Sequence, residues 1–108
     1  AFKQIEPDNP GAKIRFSVLS TTPPMEKTEA SANLLSRIRE IADSAFSMSL
    51  EAGKTGGGSD ASVASSLGIP TVDGLGPDGE GIHAENEHLL LPSFVNRTAL
   101  LTELLRQL

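Results

Sequence analysis

The sequence predicts an α/β fold made of short strands and crossover helices. Three observations carry this: an alternating apolar segment at Lys13–Leu19, a long amphipathic stripe from Glu26 to Phe46, and a glycine run, Gly56-Gly57-Gly58, leading into a helix. The elements read β, α, a candidate β, α, β, α, the order that gives a layered α/β sheet. Three short strands are too few for a sheet covered on both faces, so the chain reads as part of a larger fold.

Each element has a local cause. Pro7, Asp8, Asn9, Pro10 and Gly11 read as a turn. In the strand that follows, Ile14, Phe16 and Val18 face one way and Lys13, Arg15 and Ser17 the other, and Thr21-Thr22-Pro23-Pro24 stops it because proline cannot donate to a ladder. The helix over Glu26–Phe46 places Leu34, Leu35, Ile38, Ile41, Ala42, Ala45 and Phe46 on one stripe, with Glu26 and Glu29 in the first turn, where the helix dipole favours negative charge. Phe46, Met48 and Leu50 alternate as a candidate strand before Gly53. Asp60–Leu67 reads as a short helix closed by Gly68, and Thr71–Leu75 as a brief strand. Pro92-Ser93 opens a final helix that offers Val95, Ala99, Leu101, Leu104, Leu105 and Leu108 for packing.

Composition narrows the function. The 108 residues carry a net charge of −5, which argues against nucleic acid or an anionic membrane as partner, since both recruit lysine and arginine. With no cysteine, disulfides and thiolate metal sites are excluded. No apolar run approaches the roughly 20 residues of a membrane span, and no signal-peptide pattern opens the chain; the expected location is cytoplasmic.

The chemistry concentrates in two places. Gly56-Gly57-Gly58 lets a backbone approach a ligand closely, and Ser59 and Asp60 read as a helix cap whose neighbouring amides favour an anion. The loop Asp73, Asp78, Glu80, His83, Glu85, Glu87, His88 is dense in potential metal ligands, against the bland alternative of a solvated acidic loop. His83, flanked by Gly81 and Ala84, is the better ligand candidate. His88 lies five residues on, not the four that share a helical face, beside Leu89-Leu90-Leu91, and reads as structural. Gly53-Lys54-Thr55 fails as a P-loop because its first glycine would fall at Met48. Gly56, Gly58 and Ala61 fit the loose dinucleotide fingerprint, but the helix after them is short and Asp73 comes too early. Ser59 lacks the second glycine of a nucleophile elbow.

Taken together, Gly57-Gly58-Ser59-Asp60-Ala61, Gly68-Ile69-Pro70-Thr71, Gly74-Leu75-Gly76-Pro77 and Gly81-Ile82-His83 resemble the C-terminal part of the glutamate carboxypeptidase family, which includes acetylornithine deacetylases and succinyl-diaminopimelate desuccinylases. Pro23-Pro24-Met25-Glu26 resembles the hinge where an inserted α+β lid domain returns to the catalytic domain. The resemblance implies residues 1–22 as the end of the lid (dimerisation) domain and 23–108 as the C-terminal portion of a layered α/β zinc-peptidase catalytic domain. It implies a hydrolase in which water activated by two zinc ions cleaves a peptide or N-acyl amide bond, with a glutamate as base. His83 would be the last metal ligand in chain order, and Gly57 and Gly58 would line the substrate pocket. Glu87 resembles an acidic residue that commonly follows that histidine and is given no catalytic role.

Two departures accompany the resemblance. Thr22 stands where the family often carries an arginine that grips a substrate carboxylate. The family's histidine–aspartate motif, paired glutamates and remaining acidic ligand all lie upstream and are not in this sequence. The chain is therefore expected to be a C-terminal fragment, inactive alone, with no catalytic residue of its own; the two zinc ions belong to the parent enzyme, and this chain alone need bind none. Its expected partners are a peptide or N-acyl amino acid substrate, a second copy of the chain, or the missing part of the parent protein. The alternative is a small non-enzymatic α/β module binding an anionic ligand or partner through the glycine loop.

Overall fold

The computed structural model describes residues 8–108. Its elements are α1 (Glu29–Phe46), α2 (Ala61–Ser66), β1 (Gly79–Glu80), β2 (His88–Leu89) and α3 (Leu91–Gln107). Helices and a small sheet are both present, as an α/β reading requires, but the two strands form an antiparallel hairpin without a crossover. None of the described helices is long and apolar enough to cross a membrane.

α1 begins at Glu29 and not at Glu26 because Thr28 caps it. Thr28 is extended, and its hydroxyl oxygen accepts the Ser31 N–H at 3.1 Å. At the other end Ser47 adopts a left-handed conformation (φ 50°). Its N–H donates to the Asp43 carbonyl at 2.9 Å and that of Met48 to the Ala42 carbonyl at 3.1 Å, satisfying the last carbonyls. This reversal sends Met48 and Leu50 back under the helix.

The core forms where α1 meets α3. Ile38, Ile41 and Ala42 pack with Leu50, Leu100 and Leu104, and Leu34, Met48, Val72 and Leu75 lie against them. The predicted stripe of α1 is thus buried in its middle, while Ala45 and Phe46 at its end are exposed. Of the residues α3 offered for packing, Leu104 is buried and Ala99 half-buried, whereas Val95, Leu101, Leu105 and Leu108 are exposed; Leu100, not among those expected, is fully buried. The cause is the helix's rotation: Ser93, Arg97, Leu100 and Leu104 share one stripe at helical spacing, and this stripe faces inward. The second apolar stripe of α3 stays uncovered.

Three predicted strands do not form. Lys13–Leu19, Met48–Leu50 and Thr71–Leu75 are all irregular. A strand exists only with a neighbour to complete its ladder, and the strands among the described residues pair with each other. Leu50, Val72 and Leu75 reach the core without a ladder, while Val18 and Leu19 are exposed. Of the turn expected at residues 7–11, Pro7 lies outside the described residues. The rest is present, with the Ala12 N–H donating to the Asn9 carbonyl at 2.9 Å.

The accessible surface, 9128 Å² for an 11.3 kDa chain, is far above the roughly 5,700 Å² expected of a compact monomer of that mass. The radius of gyration is 19.6 Å, against about 13 Å for a compact domain of this length.

Candidate functional site

The glycine run lies in the loop between Leu50 and α2. None of Gly56, Gly57 and Gly58 takes a positive φ; the glycines that do are Gly68, Gly74 and Gly81. A Cβ at Gly58 would meet nothing within 4 Å, and at Gly57 only the Thr55 hydroxyl oxygen at 3.6 Å. The chain's own packing therefore does not require glycine here. The Gly57 N–H donates to the Thr55 hydroxyl oxygen at 3.3 Å, while at Gly58 the backbone carries no side chain and faces open space.

Ser59 closes this loop onto α2. Its hydroxyl oxygen accepts the Ala61 N–H at 3.1 Å and its carbonyl the Ser62 N–H at 3.1 Å, while the Asp60 side chain makes no cap bond. With six residues, α2 has few aligned peptide dipoles, so the pull on an anion expected at its N-terminus is small. Thr22, Gly58, Ser59, Asp60 and Val63 line one open depression of about 380 Å³. The fold thus brings Thr22, the residue before Pro23-Pro24, beside the glycine loop.

His83 sits in the turn of the β1–β2 hairpin, whose register pairs Gly79 with Leu89 and Glu80 with His88. Gly81 (φ 74°) and His83 (φ 67°) are both left-handed. The Ala84 N–H donates to the Gly81 carbonyl at 2.8 Å and the Glu87 N–H to the Ala84 carbonyl at 3.1 Å, which winds the turn tightly around His83. Histidine is among the residue types that enter this region more readily than most. His88 places Nδ1 at 2.9 Å from the Asn86 carbonyl oxygen, a contact a neutral ring makes by donating from Nδ1. Glu87 and His88 help line a second open depression of about 430 Å³; His83 lines neither depression.

The chain therefore does not gather Gly58 and His83 into one cavity. Among the described residues no three histidine or acidic side chains group closely enough to hold a metal ion. A catalytic zinc takes about three protein ligands beside an open position, so these residues do not make a metal centre by themselves. The acidic side chains of the loop are spread along an exposed hairpin.

Sequence reasoning overlooked Ser93 and Arg97 on α3, which hold the base of this hairpin. The Asp78 N–H donates to the Ser93 hydroxyl oxygen at 2.8 Å, and Arg97 Nη2 lies 3.4 Å from Asp78 Oδ1. The signal was present: Ser93 and Arg97 continue, at helical spacing, the stripe that Leu100 and Leu104 occupy.

No curated protein and no solved structure matches the chain. The sequence profile of Peptidase family M20/M25/M40 matches residues 5–107, nearly the whole chain, and the chain belongs to that family of hydrolases.

Proposed function

We propose that this chain is the C-terminal part of a metal-dependent peptidase or amidohydrolase and supplies one wall of its active site. Members of the family are generally metal-dependent. The wall consists of the backbone around Gly57 and Gly58, which takes the substrate's carboxylate or carbonyl, and of His83 as one ligand to a zinc centre. The other ligands and the catalytic base come from residues outside these 108. The substrate is a peptide or N-acyl amino acid, cleaved next to a free carboxylate.

The observation that carries this reading is the glycine run. Gly58 has neither a positive φ nor a close neighbour that would demand glycine, yet it borders an open depression with Thr22 and Ser59. A glycine that the chain's own packing does not demand fits a surface meant for close approach of a ligand. The doubly apolar α3 agrees with it, since a helix with two apolar faces belongs between two layers.

Zinc titration of the 108-residue chain tests the reading. A single exposed histidine gives only weak binding, so tight stoichiometric uptake by this chain alone would contradict it. In the longer protein, His83→Ala should lower metal content and abolish hydrolysis of N-acyl amino acids; full metal occupancy in that variant would remove His83 from the site.

A further inference from the structure

We propose that Ser93 and Arg97 are positioning residues that aim the His83 hairpin from α3. The hairpin cannot orient itself. Its ladder holds two residue pairs, both strands are exposed, and a two-stranded hairpin is at best marginal in water. Something outside it must set where His83 stands.

That support converges on Asp78, the residue before β1. Its N–H donates to the Ser93 hydroxyl oxygen at 2.8 Å, and its carbonyl accepts the Leu90 N–H, also at 2.8 Å. The Ser93 hydroxyl lies 2.8 Å from the Leu90 carbonyl oxygen and 3.4 Å from that of Asp78. One side chain therefore ties together the entry and exit strands of the hairpin. Arg97, one turn further along α3, places Nη2 at 3.4 Å from Asp78 Oδ1 and Nη1 at 3.9 Å from Met48 Sδ.

The arginine is the part of this link held by the fold. Its side chain is 19% exposed and that of Asp78 62%, and Met48 packs against the core. Ser93 and Arg97 occupy the same inward stripe as Leu100 and Leu104, so the N-terminal half of α3 grips the hairpin as its C-terminal half grips α1. A rigid path then runs from the core through Arg97 and Asp78 to β1 and the His83 turn. The significance of that path for catalysis rests on the reading of His83 as a metal ligand; the geometry does not.

The test uses NMR on the 108-residue chain. In Ser93→Ala, the Asp78 amide, which loses its acceptor, should exchange several-fold and up to about tenfold faster, given what one hydrogen bond contributes. The His83 HN–Hα coupling and the Ala84 amide should drift toward coil values in both Ser93→Ala and Arg97→Gln. The amides of Ile41, Ala42, Leu100 and Leu104 should keep their protection, and Ser93→Thr, which retains the hydroxyl, should restore the hairpin signals. Unchanged hairpin signals in the two disruptive variants would overturn the proposal, as would a Ser93→Thr chain as loose as Ser93→Ala. Should Ser93→Ala not fold, Arg97→Gln read on the same signals decides. None of these readouts involves metal, so a loosened hairpin beside a His83→Ala parent of undiminished metal content would sink the ligand reading and leave the positioning role standing.

Discussion

Arg39 Nε on α1 donates a hydrogen bond of 2.8 Å to the backbone carbonyl of Leu50, the residue that closes the underside of the core. The contact joins a helix to the irregular segment that leads into the glycine loop. Without a ladder in this segment, the partly buried Leu50 carbonyl takes its partner from a side chain. Arg39 thus satisfies the Leu50 carbonyl at the point where the loop departs, while the Leu50 side chain packs in the core.

Replacing Arg39 with alanine should therefore cost about 1.5–3 kcal/mol, as expected for a charged donor to a partly buried carbonyl. Urea unfolding of the chain would measure it. Lysine should recover little, because its ammonium does not reproduce the Nε geometry. A midpoint for Arg39→Ala equal to that of the parent chain would show that the segment is held by packing alone.

The two faces of α3 give a second expectation. Leu100→Ala empties a fully buried site and should cost about 2–5 kcal/mol. Leu105, 87% exposed, should tolerate alanine within about 0.5 kcal/mol. The same leucine should matter for association: uncovered apolar stripes drive self-assembly, so the chain should form dimers or larger species at high concentration. Leu105→Glu should shift that equilibrium toward monomer. A parent chain that stays monomeric by light scattering would show that this face needs a different partner.

The helices were legible in the sequence because a helix closes its hydrogen bonds within its own segment. The stripe at Ile38, Ile41 and Ala42 and the cap at Ser59 could be read without any partner. The start of α1 was misplaced only because Thr28 escaped notice as a cap. Strands were not legible in the same way. Ile14, Phe16 and Val18 alternate as well as any strand, but alternation specifies a face and does not supply a neighbour. Conversely, β1 and β2 are two residues each, too short to leave a periodic trace. Which apolar residues of α3 turn inward is not legible from the sequence, because its two stripes are both apolar toward the C-terminus and only Ser93 and Arg97 mark the one that meets the chain. At the site, Gly58 and His83 stood out by residue type, but their separation into different surfaces depends on the hairpin and could not be seen from spacing.

Two glycines should respond in opposite ways. A Cβ at Gly79 would collide with the His88 carbonyl oxygen and press on Leu89 Cα at 3.1 Å, so Gly79→Ala should open the hairpin and expose the Glu80 amide to rapid exchange. Gly58→Ala meets nothing and should be neutral or stabilise by up to about 1 kcal/mol through the unfolded chain. Any loss of hydrolysis by Gly58→Ala in the longer protein would then report on substrate contact, since folding would be unharmed. Equal kcat/KM with and without that methyl group would remove Gly58 from the substrate wall.

His83 is the sharpest case, because its role and its backbone conformation make opposite demands. A histidine at φ 67° occupies a region that costs a residue with a Cβ roughly 1–2 kcal/mol and glycine almost nothing. Glycine in turn enlarges the entropy of the unfolded chain by about 0.4–1 kcal/mol, so His83→Gly should leave stability unchanged or raise it by up to about 1.5 kcal/mol. If the imidazole is there for a metal, the same substitution should remove most metal from the longer protein while its hairpin amides stay protected. His83→Ala, which keeps the strain and loses the ring, should be no more stable than the parent and equally poor in metal. Thermal unfolding and metal analysis of both variants separate the two demands. A His83→Gly protein that unfolds earlier than His83→Ala would mean that the left-handed turn is not where the strain lies.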